Sequence, residues 1–279
     1  MVWTLRTRGR QWRSLRPWVM GIVNITPDSF SDGGRWLSPD MALTQALQLV
    51  AEGADILDLG AASSRPGSLP VAAGLQLERL LPVIEKIRQQ TDIPLSVDTS
   101  DVVVMREVIA AGALMINDIN ALQAEGAIEV IRQTGVACCL MHMQGTPDCM
   151  QDHPQYHQVT TEVLGFLEMR WNCCLAAGIN PEMLCLDPGF GFGKQLAHNI
   201  ELMQQLRQFS AKGPLLIGVS RKSMLGELLG QRPVHQRQAA GVAMAFWAAE
   251  QGAAIIRTHD VQATRDVLTV WETLRSPSQ

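Results

Sequence analysis

Short apolar runs recur along this chain of 279 residues, and a stretch of helical periodicity follows each of them. That alternation constrains the fold more than any other feature. The runs are Trp18–Asn24, Ile56–Gly60, Leu95–Asp98, and residues 114–118, 136–141, 183–187, 215–219 and 254–259. They are apolar throughout rather than alternating, as parallel strands buried on both faces are. Parallel strands need long crossovers, usually helices. Eight such strand–helix units predict a single α/β domain, a closed (β/α)8 TIM barrel over residues 18–279, with a short hairpin extension over residues 1–17. An open doubly wound sheet is the alternative. It calls for a glycine fingerprint after the first strand, and Asn24-Ile25-Thr26-Pro27-Asp28 is not one.

Local punctuation supports the alternation. Ser38 reads as a helix cap, Pro39 as the first helical residue and Gly53 as the stop, with Leu43, Ala46, Leu47 and Val50 as the buried stripe. Residues 101–111 are rich in β-branched side chains, which argues for a strand; Ser100 as a cap and Gly112 as a stop favour a helix. Residues 239–249 are apolar nearly all round. An outer barrel helix needs one buried stripe, so the second face implies a partner and predicts a homodimer.

Composition narrows the function. The net charge of −4 argues against a general nucleic-acid surface, and no apolar run approaches the roughly 20 residues of a membrane span. Arg6, Arg8, Arg10, Arg13 and Arg16 lie in the N-terminal segment, which lacks the apolar core of a signal peptide and reads as a solvated hairpin. The six cysteines form no Cys-x-x-Cys pair. They predict a reducing, cytoplasmic setting with no thiolate metal site.

In a barrel of this kind the loops after the strands build the active site. The strand ends present Asn24, Asp98, Asn117, His142, Asp187, Ser220-Arg221-Lys222, Arg257 and His259. Asp58 and Asp118 read equally well as partners for neighbouring loops. The set divides by charge. Asp98, Asn117 and Asp187 suit a flat heterocycle rich in N–H donors, such as guanine or a pterin. Arg65, Arg257 and His259 suit a phosphate or diphosphate. Asn24 offers a hard oxygen for Mg²⁺, and Lys222 lies at a helix start, where donors face anions. A heterocycle pocket beside a diphosphate pocket implies displacement of diphosphate by a nucleophile. The stretch Gly189-Phe190-Gly191-Phe192-Gly193-Lys194 superficially resembles a P-loop, but the spacing is wrong and Gln195 stands where Ser or Thr belongs. His153 and His157 are spaced for a metal, with Pro154 between them and no evident third ligand.

Taken in order, several motifs resemble the dihydropteroate synthase family. They are Asn24-Ile25-Thr26-Pro27-Asp28-Ser29-Phe30-Ser31-Asp32-Gly33-Gly34, Ser96-Val97-Asp98-Thr99, Asn117-Asp118-Ile119, Met141-His142-Met143, Asp187-Pro188-Gly189-Phe190-Gly191-Phe192-Gly193-Lys194, Ser220-Arg221-Lys222-Ser223 and Arg257-Thr258-His259-Asp260-Val261. The resemblance implies condensation of 6-hydroxymethyl-7,8-dihydropterin diphosphate with 4-aminobenzoate, assisted by Mg²⁺. It assigns the pterin to Asp98, Asn117, Met141, Asp187, Gly218 and Lys222, and the diphosphate to Arg65, Arg257 and His259. Asn24 takes the metal-linked position. Phe30, Asp32, Ser64, Pro66, Phe192 and Ser220 take the aminobenzoate side, and Asp98, Asp187, Lys222 and Arg257 take the catalytic roles. One loop departs from the family, which commonly reads Gly-Gly-Glu-Ser-Thr-Arg-Pro-Gly. Here it is Gly60-Ala61-Ala62-Ser63-Ser64-Arg65-Pro66-Gly67, with no carboxylate at Ala62 and a serine for the threonine. A corrinoid-linked methyltetrahydrofolate methyltransferase or a non-catalytic pterin-binding paralogue would share the barrel.

Overall fold

The structure, a computed structural model, describes residues 2–26, 38–63 and 67–275. An N-terminal hairpin of β1 (Trp3–Thr7) and β2 (Arg10–Ser14) precedes the barrel. There follow β3 (Trp18–Asn24), α1 (Pro39–Ala51), β4 (Ile56–Gly60), α2 (Ala73–Gln90), β5 (Leu95–Asp98), α3 (Val102–Ala110), β6 (Met115–Asp118) and α4 (Ala127–Thr134). The second half is β7 (Ala137–Met141), α5 (Val159–Ala176), β8 (Leu184–Asp187), α6 (Leu196–Gln204), α7 (Leu206–Ser210), β9 (Leu216–Ile217), α8 (Ser223–Leu228), α9 (Gln238–Glu250), β10 (Ile255–Thr258) and α10 (Val261–Arg275).

The eight barrel strands pair in parallel in the order β8-β7-β6-β5-β4-β3-β10-β9. A parallel bridge between Leu186 and Leu215, with Leu186 N–H donating to the Pro214 carbonyl at 2.9 Å, closes the ring. The last strand to pair is shorter than residues 215–219 predicted. The chain leaves the sheet at Gly218, and Val219 turns back to accept from Lys222 N–H at 3.2 Å. Register does the positioning. Asn24 pairs with Gly60, Gly60 with Asp98, Asp98 with Asn117, and Met141 with Asp187. Polar residues that are far apart in sequence therefore meet in lateral rows at one end of the barrel.

Ser38 caps α1 as the sequence implies, its hydroxyl accepting from Met41 N–H, and Pro39 is the first helical residue. Of the expected stripe only Ala46 is fully buried; Ala42 and Leu49 complete the row, and Leu43, Leu47 and Val50 are half-buried beside it. Small alanines face the sheet and let the helix approach, while the larger side chains flank the contact. Residues 102–110 are helical, and the cap is Asp101 rather than Ser100: its carboxylate accepts from Val103 and Val104 N–H. Burial of Val104, Met105, Val108 and Ile109 outweighs the weak helix preference of the valines.

The N-terminal hairpin is not solvated on both faces. Trp3, Leu5 and Thr7 point inward and join the main core. Thr7 Oγ1 donates to the Leu114 carbonyl (2.6 Å), Arg8 N–H to Gly135 (2.6 Å) and Trp3 Nε1 to Gly252 (3.4 Å). Those carbonyls precede β6, β7 and β10, so the hairpin plugs the end of the barrel opposite the polar rows. Among the described residues no helix is long and apolar enough to cross a membrane. Leu5 is fully buried, so Leu5→Ala is expected to cost about 2–4 kcal/mol in urea unfolding. A loss below about 1 kcal/mol, within the range of a surface change, would mean the hairpin adds nothing to the core.

Candidate active site

The polar end of the barrel is built around one buried carboxylate. Asp58, on β4, is 0% exposed. Its Oδ2 accepts from Arg257 Nε at 2.6 Å and from Asn117 Nδ2 at 3.2 Å. Arg257, on β10, reaches further and places Nη2 at 3.5 Å from Asp98 Oδ2. Gly218 lies against the Arg257 stem; a Cβ there would sit 3.7 Å from Arg257 Cβ and Cδ. The charges expected to divide into two sets are thus joined, because Arg257 pairs with carboxylates on the heterocycle side. Asp58 serves these side chains and not a neighbouring loop. Asp118 does serve its loop, accepting from Asn120 and Leu122 N–H and from the Ser100 hydroxyl.

Asp187 ends β8 beside Met141 and is buried; its Oδ1 accepts from Gly189 N–H at 2.7 Å. Lys222, at the start of α8, donates from Nζ to the Phe190 carbonyl at 2.5 Å and lies 4.6 Å from the centre of the Phe192 ring. Ser220 Oγ accepts from His259 N–H at 3.1 Å and lies 3.2 Å from His259 Nδ1. Asn24 stands at the end of β3, within 3.8 Å of where a Gly60 Cβ would be. Phe30, Asp32, Ser64, Arg65 and Pro66 lie outside the described residues.

Burial sets the electrostatics. It pushes the Asp98 carboxyl up, against the pull of Arg257 and with Asp58 and Asp118 adding to the rise. It raises Asp187 likewise, opposed by Lys222. It lowers Lys222 to about 8, opposed by Asp187. Burial also works against the Arg257 charge, but Asp58 and Asp98 outweigh it and hold its pKa above the ordinary value. Asn117 Oδ1 and Asp58 Oδ1 are buried without a hydrogen-bond partner among the described residues. An unsatisfied buried acceptor is costly, so a site that carries one suits a ligand bringing N–H donors.

Comparison with known proteins was made on this basis. The family model described as pterin binding enzyme matches residues 20–259. The dihydropteroate synthase of Haemophilus influenzae is 48% identical over 257 residues, covering 92% of this chain and 93% of that protein. The chain belongs to the dihydropteroate synthase family. The Escherichia coli K12 member is 46% identical over 264 residues, covering 94% of this chain and 93% of its own. Among solved structures, the Yersinia pestis dihydropteroate synthase in a sulfonamide drug complex superposes with a TM-score of 0.93 at 47% identity, over 98% of this chain and 100% of that one. The Xanthomonas albilineans dihydropteroate synthase in complex with 7,8-dihydropteroate superposes with a TM-score of 0.85 at 40% identity, over 98% and 99% of the two chains.

Two members of the site were missed in the sequence of this dihydropteroate synthase family chain. Asp58 was weighed as a loop partner; the signal was a lone carboxylate inside an apolar strand, which needs a cationic partner in the core. Lys194 was set aside with the rejected P-loop. It is 3% exposed and binds His142, which turns away from the polar rows to meet it. Asp58→Asn leaves the buried Arg257 charge without its closest partner. The expected cost is about 3 kcal/mol of unfolding free energy, measured in urea, and a value below about 1 kcal/mol would mean that Asp98 alone anchors Arg257.

Proposed function

We infer that this protein condenses 6-hydroxymethyl-7,8-dihydropterin diphosphate with 4-aminobenzoate, giving 7,8-dihydropteroate and diphosphate. The observation that carries the reading is the acceptor group of half-buried Asp98 and buried Asn117 and Asp187, with Asn117 Oδ1 lacking a donor among the described residues. A pterin ring offers the N–H edge those atoms need, and the similar Xanthomonas albilineans protein binds 7,8-dihydropteroate.

In this reading the C–O bond between the pterin methylene and diphosphate breaks, and a C–N bond to the arylamine forms. The amine proton goes to solvent or to departing diphosphate. Positive charge develops on the methylene, and Asp98 and Asp187 favour it because their carboxylates are already held at the strand ends. Arg257, held by Asp58, joins Arg65 and His259 in receiving the leaving group, while Lys222 faces the ring from the Phe192 side. Met141 and Gly218 give the ring apolar and open surface. Phe30, Asp32, Ser64, Pro66, Phe192 and Ser220 form the arylamine side. The arylamine is nucleophilic as it stands, so no strong base is required. Among the described residues no three His, Cys, Asp or Glu side chains converge to form a metal cage. The neutral oxygen of Asn24 fits Mg²⁺ held mainly by diphosphate and water, where bound magnesium would neutralise phosphate charge. The protein acts in the cytoplasm as a homodimer. Support for the dimer comes from α9, where Trp247 is 44% exposed on a helix that also buries Ala245, Ala248 and Ala249.

Steady-state release of diphosphate, dependent on both substrates, tests the whole reading; an inert folded protein would overturn it. Asp187→Asn replaces an acceptor oxygen with a donor facing ring N–H groups. It is expected to fold and to weaken pterin binding by about 10- to 100-fold in calorimetry, the loss of a charge-assisted hydrogen bond. Ala62→Glu probes the loop that departs from the family. The missing glutamate has no part in ionising the substrate, so restoring it is expected to change the apparent aminobenzoate affinity by less than about tenfold, or roughly 1.4 kcal/mol. If the natural protein is inert and Ala62→Glu switches it on, the loop carboxylate is catalytic.

A further inference from the structure

The glycine-rich stretch after β8 ends in a lysine that meets protein rather than phosphate. Lys194 Nζ lies 2.9 Å from the Gly189 carbonyl, 3.0 Å from Phe192, 3.4 Å from His142 and 3.0 Å from His142 Nδ1. The ammonium has three N–H donors to share among these four acceptors, and burial lowers its pKa to about 7, opposed by Asp187. His142 is suited to accept. Burial, with Lys194 adding, pushes its imidazole down to about 3, so it is neutral near pH 7.

The loop has its hydrogen bonds accounted for. Beyond Lys194, the Phe190 carbonyl accepts from Lys222, Gly191 from Gln151 Nε2 at 2.6 Å, and Gly193 from the Tyr156 hydroxyl at 2.8 Å. It also lies hard against the segment after β7. A Cβ at Gly189, where φ is +71°, would collide with the His142 carbonyl oxygen, and one at Gly193 with that of Gln144. Carbonyls from two loops therefore crowd together in a dry site, and one buried ammonium keeps them there. Two residues transmit the effect. Gly189 gives its carbonyl to Lys194 and its N–H to Asp187. Phe192 gives its carbonyl to Lys194 and its ring to Lys222.

We propose that Lys194 is a positioning residue of the pterin site, whose ammonium pins the loop after β8 to the turn after β7 and thereby sets the Asp187 carboxylate and the Lys222 ammonium. The proposal rests on the pterin reading of the site. Lys194 touches no substrate in it. Lys194→Met keeps the length of the side chain and removes its donors, so the carbonyls repel and the loop lifts from Lys222.

Two measurements on the full-length protein test this. The first needs no ligand: titration of Lys222 by ¹³Cε NMR. Burial lowers Lys222 to about 8, with Arg257 adding to that shift while Asp187 and Asp98 oppose it. In Lys194→Met the midpoint is expected to rise by about one unit toward the ordinary value, as the like charge of Lys194 is lost and water reaches the ammonium. The second is calorimetric affinity for 6-hydroxymethyl-7,8-dihydropterin, expected to weaken about thirtyfold. Leu80→Ala in α2 serves as a control of comparable stability loss and is expected to move neither readout. The proposal is overturned if folded Lys194→Met either leaves the Lys222 midpoint in place or binds the pterin less than about fivefold more weakly than the parent. Should Lys194→Met not fold, Lys194→Gln, too short to reach all the carbonyls, is held to the same two criteria. Failure of the parent protein to bind the pterin would overturn the functional reading instead, and the Lys222 titration would still judge Lys194.

Discussion

The ion pair between Asp58 and Arg257 sits beneath the polar groups at the active end of the barrel. Neither charge could be buried there alone, because the cost of desolvating a single ion exceeds what packing returns. Together they also orient their neighbours: Asp58 takes a hydrogen bond from Asn117, and Arg257 extends its second nitrogen toward Asp98. One pair thus links β4, β6, β10 and β5. The arrangement commits the Asn117 nitrogen to Asp58 and leaves its buried oxygen without a donor among the described residues, so acceptance is what Asn117 has left to offer.

Most of the fold was legible because the apolar runs leave few alternatives. Strands buried on both faces cannot be mistaken for half-exposed ones, and their count and spacing specify a closed barrel. What escaped the sequence were the details that depend on neighbours. The inner face of α1 is displaced because Ala42, Ala46 and Leu49, not Leu43, Leu47 and Val50, are turned fully inward. The cap of α3 passes to Asp101 because Ser100 is drawn to Asp118. The hairpin gains a buried face only because the barrel has an open end to fill.

The site was legible as a set of residue types at strand ends, and less so as a set of pairings. Asp98, Asn117, Asp187 and Lys222 stand at the expected end of the barrel. The partnership of Arg257 with Asp58 spans 199 positions of sequence, and no local pattern announces it. Lys194 was hidden for a different reason. Lysine is read by habit as a surface or phosphate-binding residue, whereas here a cage of carbonyl oxygens holds the ammonium, with Asp187 the carboxylate that favours its charge. Here the glycines supply that cage by letting backbone oxygens converge.

The plug formed by the N-terminal hairpin bears on the order in which the molecule can assemble. Trp3 and Leu5 leave the ribosome well before Gly252 and Trp271, yet Trp3 hydrogen-bonds Gly252 and its ring lies 6.2 Å from that of Trp271. At a translation rate of about 5–20 residues per second, those partners emerge roughly ten to fifty seconds later. Through that interval Trp3 lacks its native partners at the C-terminal end of the barrel. The finished protein shows a tidy lid; the growing chain carries an apolar tryptophan ahead of its partners that nascent-chain chaperones are suited to shield.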